Sequence, residues 1–446
     1  MSGERGTASL RADLLIRGAS EIVTCRAPES GARGKALGPL ELVREGAVAI
    51  ADGRITAVGT MGELAGVEAD EVLDAGGRLV SPGFVDPHSH LVHAGSRHHE
   101  LEQRITGRAA DGQLERGIAF TVKSTCAASD EELAEHARRD LDAMLAHGTT
   151  TLEAKTGYGF ERDAELRLLR VTASLEHPVD VVPTYLGAHV LPPAYAGRRE
   201  AFVDMVLGTL PAARELADRC DVCCDPVGFT APECRRIGER AGELGFRLHV
   251  HADQTGDAGG AALAAELGAA SADHLDCVSD DGIAALAGSR TTAVMLPGVA
   301  LHLLELTPWI EGGELRPPVK PQLPLVARRL VEAGACVALS CDYNPGSCPS
   351  PSMQTTIQLA ARLFRLTPAE IWPMATINAA QALDLHPDRG SLEPGKRADV
   401  VVWDVPEHGM VLDRFGINLV HTVIKDGRIV ARPAQQPRVV LGGRSS

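Results

Sequence analysis

The stretch GFVDPHSH, residues 83–90, decides the fold. Gly83-Phe84-Val85 is short and apolar, and Asp86-Pro87-His88-Ser89-His90 follows at once. An apolar run that breaks off in polar residues has the form of a buried parallel strand with a site at its C-terminal end. Side chains alternate along extended backbone, so His88 and His90 point the same way and can both meet one cation. A lone HxH carries little weight, so the pattern must recur elsewhere.

It does. Seven further apolar runs follow at residues 149–154, 181–186, 220–224, 247–251, 270–274, 292–296 and 336–340. Amphipathic, helix-like segments separate most of them, at 130–145, 161–175, 199–216, 232–244, 258–267, 280–287 and 323–333. Continuous apolar strands alternating with helices predict a parallel sheet, and eight such units over roughly 300 residues predict a (β/α)8, TIM-like barrel. An open doubly wound sheet is the alternative, but no GxGxxG turn follows the first strand. The barrel places polar residues at strand ends. His88 and His90 follow the first strand, and Glu153 and Lys155 end the second. His189 follows the third, His251 ends the fifth, His274 ends the sixth, and Asp342 follows the eighth.

Outside this region the pattern is β. Residues 13–16 form a short apolar run, and 46–50 and 55–58 flank Asp52-Gly53 as a hairpin. The tail repeats the style, with a strand at 398–403 and a hairpin around Asp426-Gly427. The two ends are expected to form one small β-sandwich. The chain is read as residues 1–78 and 386–446 in that domain and 79–385 in the catalytic barrel.

The length of 446 residues suits a barrel with an appendage. Aromatics are only 3%, so the core must rely on Ala, Leu and Val. A net charge of −15 argues against nucleic-acid or membrane partners. No apolar run approaches ~18 residues, and the first residues lack a signal-peptide core, so a cytoplasmic location is expected. The ten cysteines sit in apolar segments and read as reduced core thiols. Cys220, Cys223 and Cys224 suggest a zinc half-site only superficially, because no second pair follows.

His88, His90, His251 and Asp342 supply three nitrogens and one oxygen, a set suited to one divalent or trivalent ion, Zn or Fe. His98, His99, His136, His147, His177, His386, His408 and His421 read as ordinary packed or surface imidazoles. His249 shares parity with His251, which would turn it inward to support the ligands.

Several of these stretches resemble the imidazolonepropionase family. They are PGFVDPHSHLVHAGSR (82–97), TLEAKTGYG (151–159), LGAH (186–189), HADQ (251–254), SADH (271–274), LPG (296–298) and DYNPGS (342–347). SLEPGKRADVVVWD (391–404) resembles the C-terminal β segment of amidohydrolases in general, and the resemblance runs from about residue 46 to 430. Bimetallic members of that superfamily carry a carbamylated Lys after the fourth strand. Here that strand ends Cys223-Cys224-Asp225, in keeping with a single ion.

The resemblance implies opening of a cyclic amide C–N bond by a metal-activated water, converting 4-imidazolone-5-propanoate to N-formimidoyl-L-glutamate. It implies Asp342 as proton acceptor, His274 as hydrogen-bond partner of the developing oxyanion, and Gln254 facing the imidazolone ring. It also implies that Arg97, Tyr158, His189, Asn344, Gly346 and Ser347 contact the carboxylate-bearing substrate or its product. A homodimer is compatible with it. Glu153 and Lys155 are expected instead to form an ion pair within a barrel layer.

The sequence departs from the family at Gln254, where some members carry Glu, and at Asp276-Cys277, where some have Glu-His. It departs again in a less glycine-rich loop at 111–117 and in a longer, proline-rich excursion at 300–322. A cytosine- or guanine-type deaminase would share the ligands but have no need of Arg97. A non-enzymatic descendant would be expected to lose ligands, and all four are present.

Overall fold

The computed structural model describes residues 11–106, 117–311 and 314–432; residues 1–10 and the loop at 111–116 lie outside that range. Eight parallel strands form one sheet in chain order: β1 (Phe84–Asp86), β2 (Thr149–Lys155), β3 (Asp180–Ala188), β4 (Arg219–Cys224), β5 (Arg247–Ala252), β6 (Ser271–His274), β7 (Thr292–Met295) and β8 (Cys336–Leu339). Each apolar run read from the sequence coincides with one strand, the ends differing by at most two residues. β2, β4, β6, β7 and β8 are buried along their whole length, as strands covered on both faces must be.

Closure falls just beyond the first and last strands. Asp342 N donates to His88 O at 3.2 Å and His90 N to Tyr343 O at 2.9 Å, with Ser89 and Tyr343 forming a parallel bridge. Closing the barrel therefore sets Asp342 beside the two histidines after β1. The helices Asp130–Ala146, Arg162–Ala173, Arg199–Arg214, Ala231–Glu243, Gly260–Glu266, Asp280–Ala287 and Leu323–Ala333 occupy the expected places around it. Capping boxes at Ser129 and Thr230 start two of them where the sequence turns from loop to amphipathic repeat.

Both chain ends build the second sheet. Its strands run in the order Arg428–Ala431, Val420–Lys425, Val400–Trp403, Leu79–Pro82, Arg11–Val23, Leu42–Ala51, Arg54–Thr60. Arg11–Val23 is irregular near Gly18. Before it, the strand pairs with Glu68–Asp74; after it, with Leu79–Pro82. This lets the sheet double over, so Val48, Ile50 and Ile55 pack in one core with Val400, Val402 and Ile424. Both hairpins turn through Asp-Gly with positive φ at each residue (Asp52 51°, Gly53 72°; Asp426 48°, Gly427 74°), the geometry that Asp-Gly favours. Three of the scarce aromatics meet where sheet meets barrel. Phe84 lies 5.8 Å from Trp372 and 5.4 Å from Trp403, and Trp403 Nε1 donates to Ser81 Oγ at 2.8 Å.

All ten cysteines are free and eight are buried, matching the reading as core thiols. Among the described residues no helix is long and apolar enough to cross a membrane.

Candidate metal centre and active site

The ends of β1, β5, β6 and β8 bring His88, His90, His251, His274 and Asp342 together. One ligand atom each from His88, His90 and His251 lie within 4.8 Å of one another, as do those of His88, His274 and Asp342. Asp342 Oδ1 stands 3.6 Å from His88 Nε2 and 3.8 Å from His90 Nε2. Two ligands of a tetrahedral ion with ~2.0–2.1 Å bonds stand about 3.3–3.4 Å apart, so these gaps are close to those of a shared coordination sphere. The donor atoms also lack other partners. His88 Nε2, His251 Nε2 and Asp342 Oδ1 are buried without a hydrogen bond. Orphaned buried polar atoms are costly, and several aimed at one point fit a cation. Burial holds the imidazoles of His88, His90 and His274 well below their ordinary pKa, which keeps ring lone pairs free for ligation. Burial likewise pushes the Asp342 carboxyl up to about 7.

The clustered side chains stand on a sealed ionic scaffold. His88 Nδ1 meets Asp273 Oδ2 at 2.6 Å, which turns Nε2 toward the cluster. His251 Nδ1 lies 3.0 Å from Asp221 Oδ2. Burial draws the His251 imidazole down, but the Asp221 carboxylate outweighs it and lifts it. Lys155 Nζ ties the layer together at 2.6 Å from Asp221, 2.8 Å from Glu153 and 3.4 Å from Asp273. The expected Glu153–Lys155 pair is thus present and reaches further, to the two acids behind His88 and His251. His249 is fully buried with Nδ1 on Ser271 Oγ at 2.8 Å, inside the barrel as its parity suggested.

A cavity of about 210 Å³ opens on this cluster. Its walls carry His90, Arg97, Tyr158, His189, His251, Gln254, His274, Asp342, Asn344, Gly346 and Ser347, so every site residue expected from the sequence lines it except His88, which lies beneath. The His90 and His189 rings stack at 5.0 Å and 7°, and His189 Nδ1 faces Gly157 O at 3.2 Å, leaving Nε2 as its free end. Gly157 has φ of +108°, and a Cβ there would stand 2.7 Å from His189 Nδ1, so the TGYG turn needs glycine at that point. Asn344 is spent on its own loop: Nδ2 donates to Asp342 O and Ser347 Oγ, and Oδ1 accepts from Gly346 N and Ser347 N. It braces the carboxylate loop as well as lining the cavity.

An Amidohydrolase family match covers residues 96–431. Imidazolonepropionase of Bacillus cereus (strain B4264) is 40% identical over 430 residues, taking in 95% of this chain and 98% of that protein. Imidazolonepropionase of Bacillus thuringiensis (strain Al Hakam) is 39% identical with the same coverage. This chain belongs to the imidazolonepropionase family of amidohydrolases. Solved structures of the same fold include an adenosine deaminase from Xanthomonas campestris with bound zinc (19% identity, TM-score 0.65, 95% of this chain and 93% of that one). E. coli guanine deaminase is another (16% identity, TM-score 0.63, 94% and 100%).

In and behind this imidazolonepropionase-family pocket, sequence reasoning missed four charged residues. Asp221 and Asp273 are single acids inside apolar strands, and that mismatch was the available signal. Glu100 and Arg104 sit on the helix His98–Thr106. Arg97 Nε and Nη2 both donate to Glu100, at 2.7 and 2.8 Å, so the bidentate edge expected to face substrate is already occupied. Gly346 makes room for the rest of that guanidinium, since a Cβ there would stand 1.9 Å from Arg97 Nη1. The departures at Asp276 and 300–322 turn out to be linked: Lys320 Nζ bridges Asp276 at 2.7 Å and Glu305 at 2.8 Å, pinning the excursion to the loop after β6.

Proposed function

We propose that this chain hydrolyses 4-imidazolone-5-propanoate to N-formimidoyl-L-glutamate, using His88, His90, His251 and Asp342 to hold one ion, Zn or Fe. One observation carries the reading: a single small cavity joins the His/Asp cluster to an arginine-bearing wall. At about 210 Å³ it is smaller than the ~300–1,000 Å³ pockets that take drug-sized ligands, which suits one five-membered ring with a short acid arm. When bound, the ion supplies Lewis acidity that makes water a nucleophile near neutral pH.

The chain's own residues do the rest. Asp342 faces the cluster through Oδ1, while Ser347 Oγ approaches Oδ2 at 3.4 Å and fixes the carboxylate plane. Asp342 accepts the proton released as water adds to the ring carbonyl and returns it to the ring nitrogen as the C–N bond breaks. His274, kept neutral by burial, donates a hydrogen bond to the carbonyl oxygen as it gains charge. Gln254 orients the ring through its amide and moves no proton. Tyr158 and the stacked His90–His189 pair wall the ring in and exclude water. Arg97 attracts the propionate.

We place the protein in the cytoplasm, binding neither nucleic acid nor membrane. We divide it near residues 78 and 385, with Leu79–Pro82 contributing to the terminal sheet. The deciding experiment offers purified protein imidazolonepropionate, cytosine and guanine in parallel. Turnover of the first alone is expected. Deamination of a base, with imidazolonepropionate untouched, would reject the assignment.

A further inference from the structure

The cation wall of the cavity contains a donor that has no role so far. Arg104 lies one turn beyond Glu100 on the helix His98–Thr106. Its Nη2 donates to Glu100 Oε2 at 2.9 Å and to Gly346 O at 3.3 Å. Its Nη1 is buried and makes no hydrogen bond among the described residues, although the side chain lines the cavity.

Charge balance sharpens the point. Glu100 accepts from Arg97 twice, from Arg104, and from Gly117 N at 2.8 Å. One carboxylate therefore serves two guanidinium groups. His302, drawn down by burial and by Arg104 and Arg97, adds no positive charge. Lys320 is taken up by Asp276 and Glu305, and Glu305 also acts on Arg104. Two guanidinium groups that share one carboxylate, one of them with a buried donor left unpartnered, line the cavity and fit an anion there.

We infer that Arg104 is a second, direct ligand of the substrate's carboxylate. Its Nη1 donates to the carboxylate, Arg97 presents its Nη1 side from across Gly346, and Glu100 positions both guanidinium groups. Arg104 is thereby a specificity-determining residue that selects ring compounds bearing an acid arm. The inference rests on the proposed reaction only for the identity of the ring.

The test compares two stable probes, imidazole-4-propionate and 4-ethylimidazole, by calorimetry on the wild-type protein and on Arg104→Gln. Wild type should prefer the propionate. Arg104→Gln should bind it roughly 10–150-fold more weakly, as for loss of a hydrogen bond to a charged group, and bind 4-ethylimidazole unchanged. With imidazolonepropionate the same loss should enter KM, with kcat little altered. Equal binding of the propionate by both proteins overturns the inference, as does equal loss of both probes. Should Arg104→Gln not fold, Arg104→Lys decides. A several-fold loss for the propionate alone supports the role, and no selective loss rejects it. Propionate selectivity without turnover of imidazolonepropionate would sink the proposed reaction and leave this cradle standing. Turnover with an indifferent Arg104→Gln would do the reverse.

Discussion

Asp273→Asn tests whether the histidine cluster is set in place by the acids behind it. Asp273 and His88 are both sealed from water, and their contact is 2.6 Å. The carboxylate fixes the His88 tautomer and leaves Nε2 facing the cluster. Asparagine keeps the shape and replaces a charge-assisted hydrogen bond with a neutral one. Hydrogen bonds to charged groups contribute ~1.5–3 kcal/mol and neutral ones ~0.5–1.5. The difference, roughly 1–1.5 kcal/mol, is about a 5–13-fold loss of ion affinity. Asp273→Ala removes the acceptor altogether and should reach the ~100-fold upper end seen when partners of metal-ligating histidines are lost. Zinc dissociation constants from chelator competition give the readout. Glu153→Gln serves as control, because Glu153 touches Lys155 and no ligand histidine. If both Asp273 variants hold zinc within twofold of wild type, the buttress has no such role.

Three further outcomes are expected. His251→Ala should lose ion and turnover together, as chelation of the wild type should, and metal analysis beside the assay checks it; full turnover in the variant contradicts the ligand assignment. Arg97→Ala should raise KM roughly 10–150-fold while leaving ion content near wild type, and equal loss of both refutes its substrate role. Burial alone would raise the Asp180 carboxyl, but Lys425 and Arg389 outweigh it and hold it below its ordinary value. Its stabilisation is therefore complete above the unfolded pKa of about 3.9 and is lost as pH falls through the lower folded value. Melting curves of wild type and Asp180→Asn should differ at pH 7, and the gap should narrow as pH falls below about 4; a constant gap would exclude this ion pair as the cause.

The barrel was legible because most of its strands are buried on both faces, and such strands announce themselves as apolar runs with polar ends. The clustered side chains at residues 88, 90, 251 and 342 were legible for the same reason. What escaped was lateral. Arg11–Val23 is a 13-residue strand, yet Arg17, Gly18, Ser20 and Glu21 interrupt its apolar pattern, so only residues 13–16 stood out. Its exchange of partners near Gly18 depends on strands distant in sequence. Asp221 and Asp273 point into the barrel beside apolar neighbours, and their pairing through Lys155 exists only once the barrel brings the inner faces of the alternate strands β2, β4 and β6 together. Glu100 reads as an ordinary helical acid until Arg97 folds back on it. Sequence displayed what each strand does alone and hid what strands do to one another.

The terminal sheet has a consequence for how this chain is made. Ser81 and Trp403, 322 residues apart, meet in a side-chain hydrogen bond beside the seam between Leu79–Pro82 and Val400–Trp403. At ~5–20 residues per second, a ribosome needs roughly 15–65 s to produce the second strand after the first. Throughout that interval the nascent N-terminal sheet carries a bare edge, open to pairing with a neighbouring chain. Productive synthesis therefore depends on shielding that edge until translation is nearly finished.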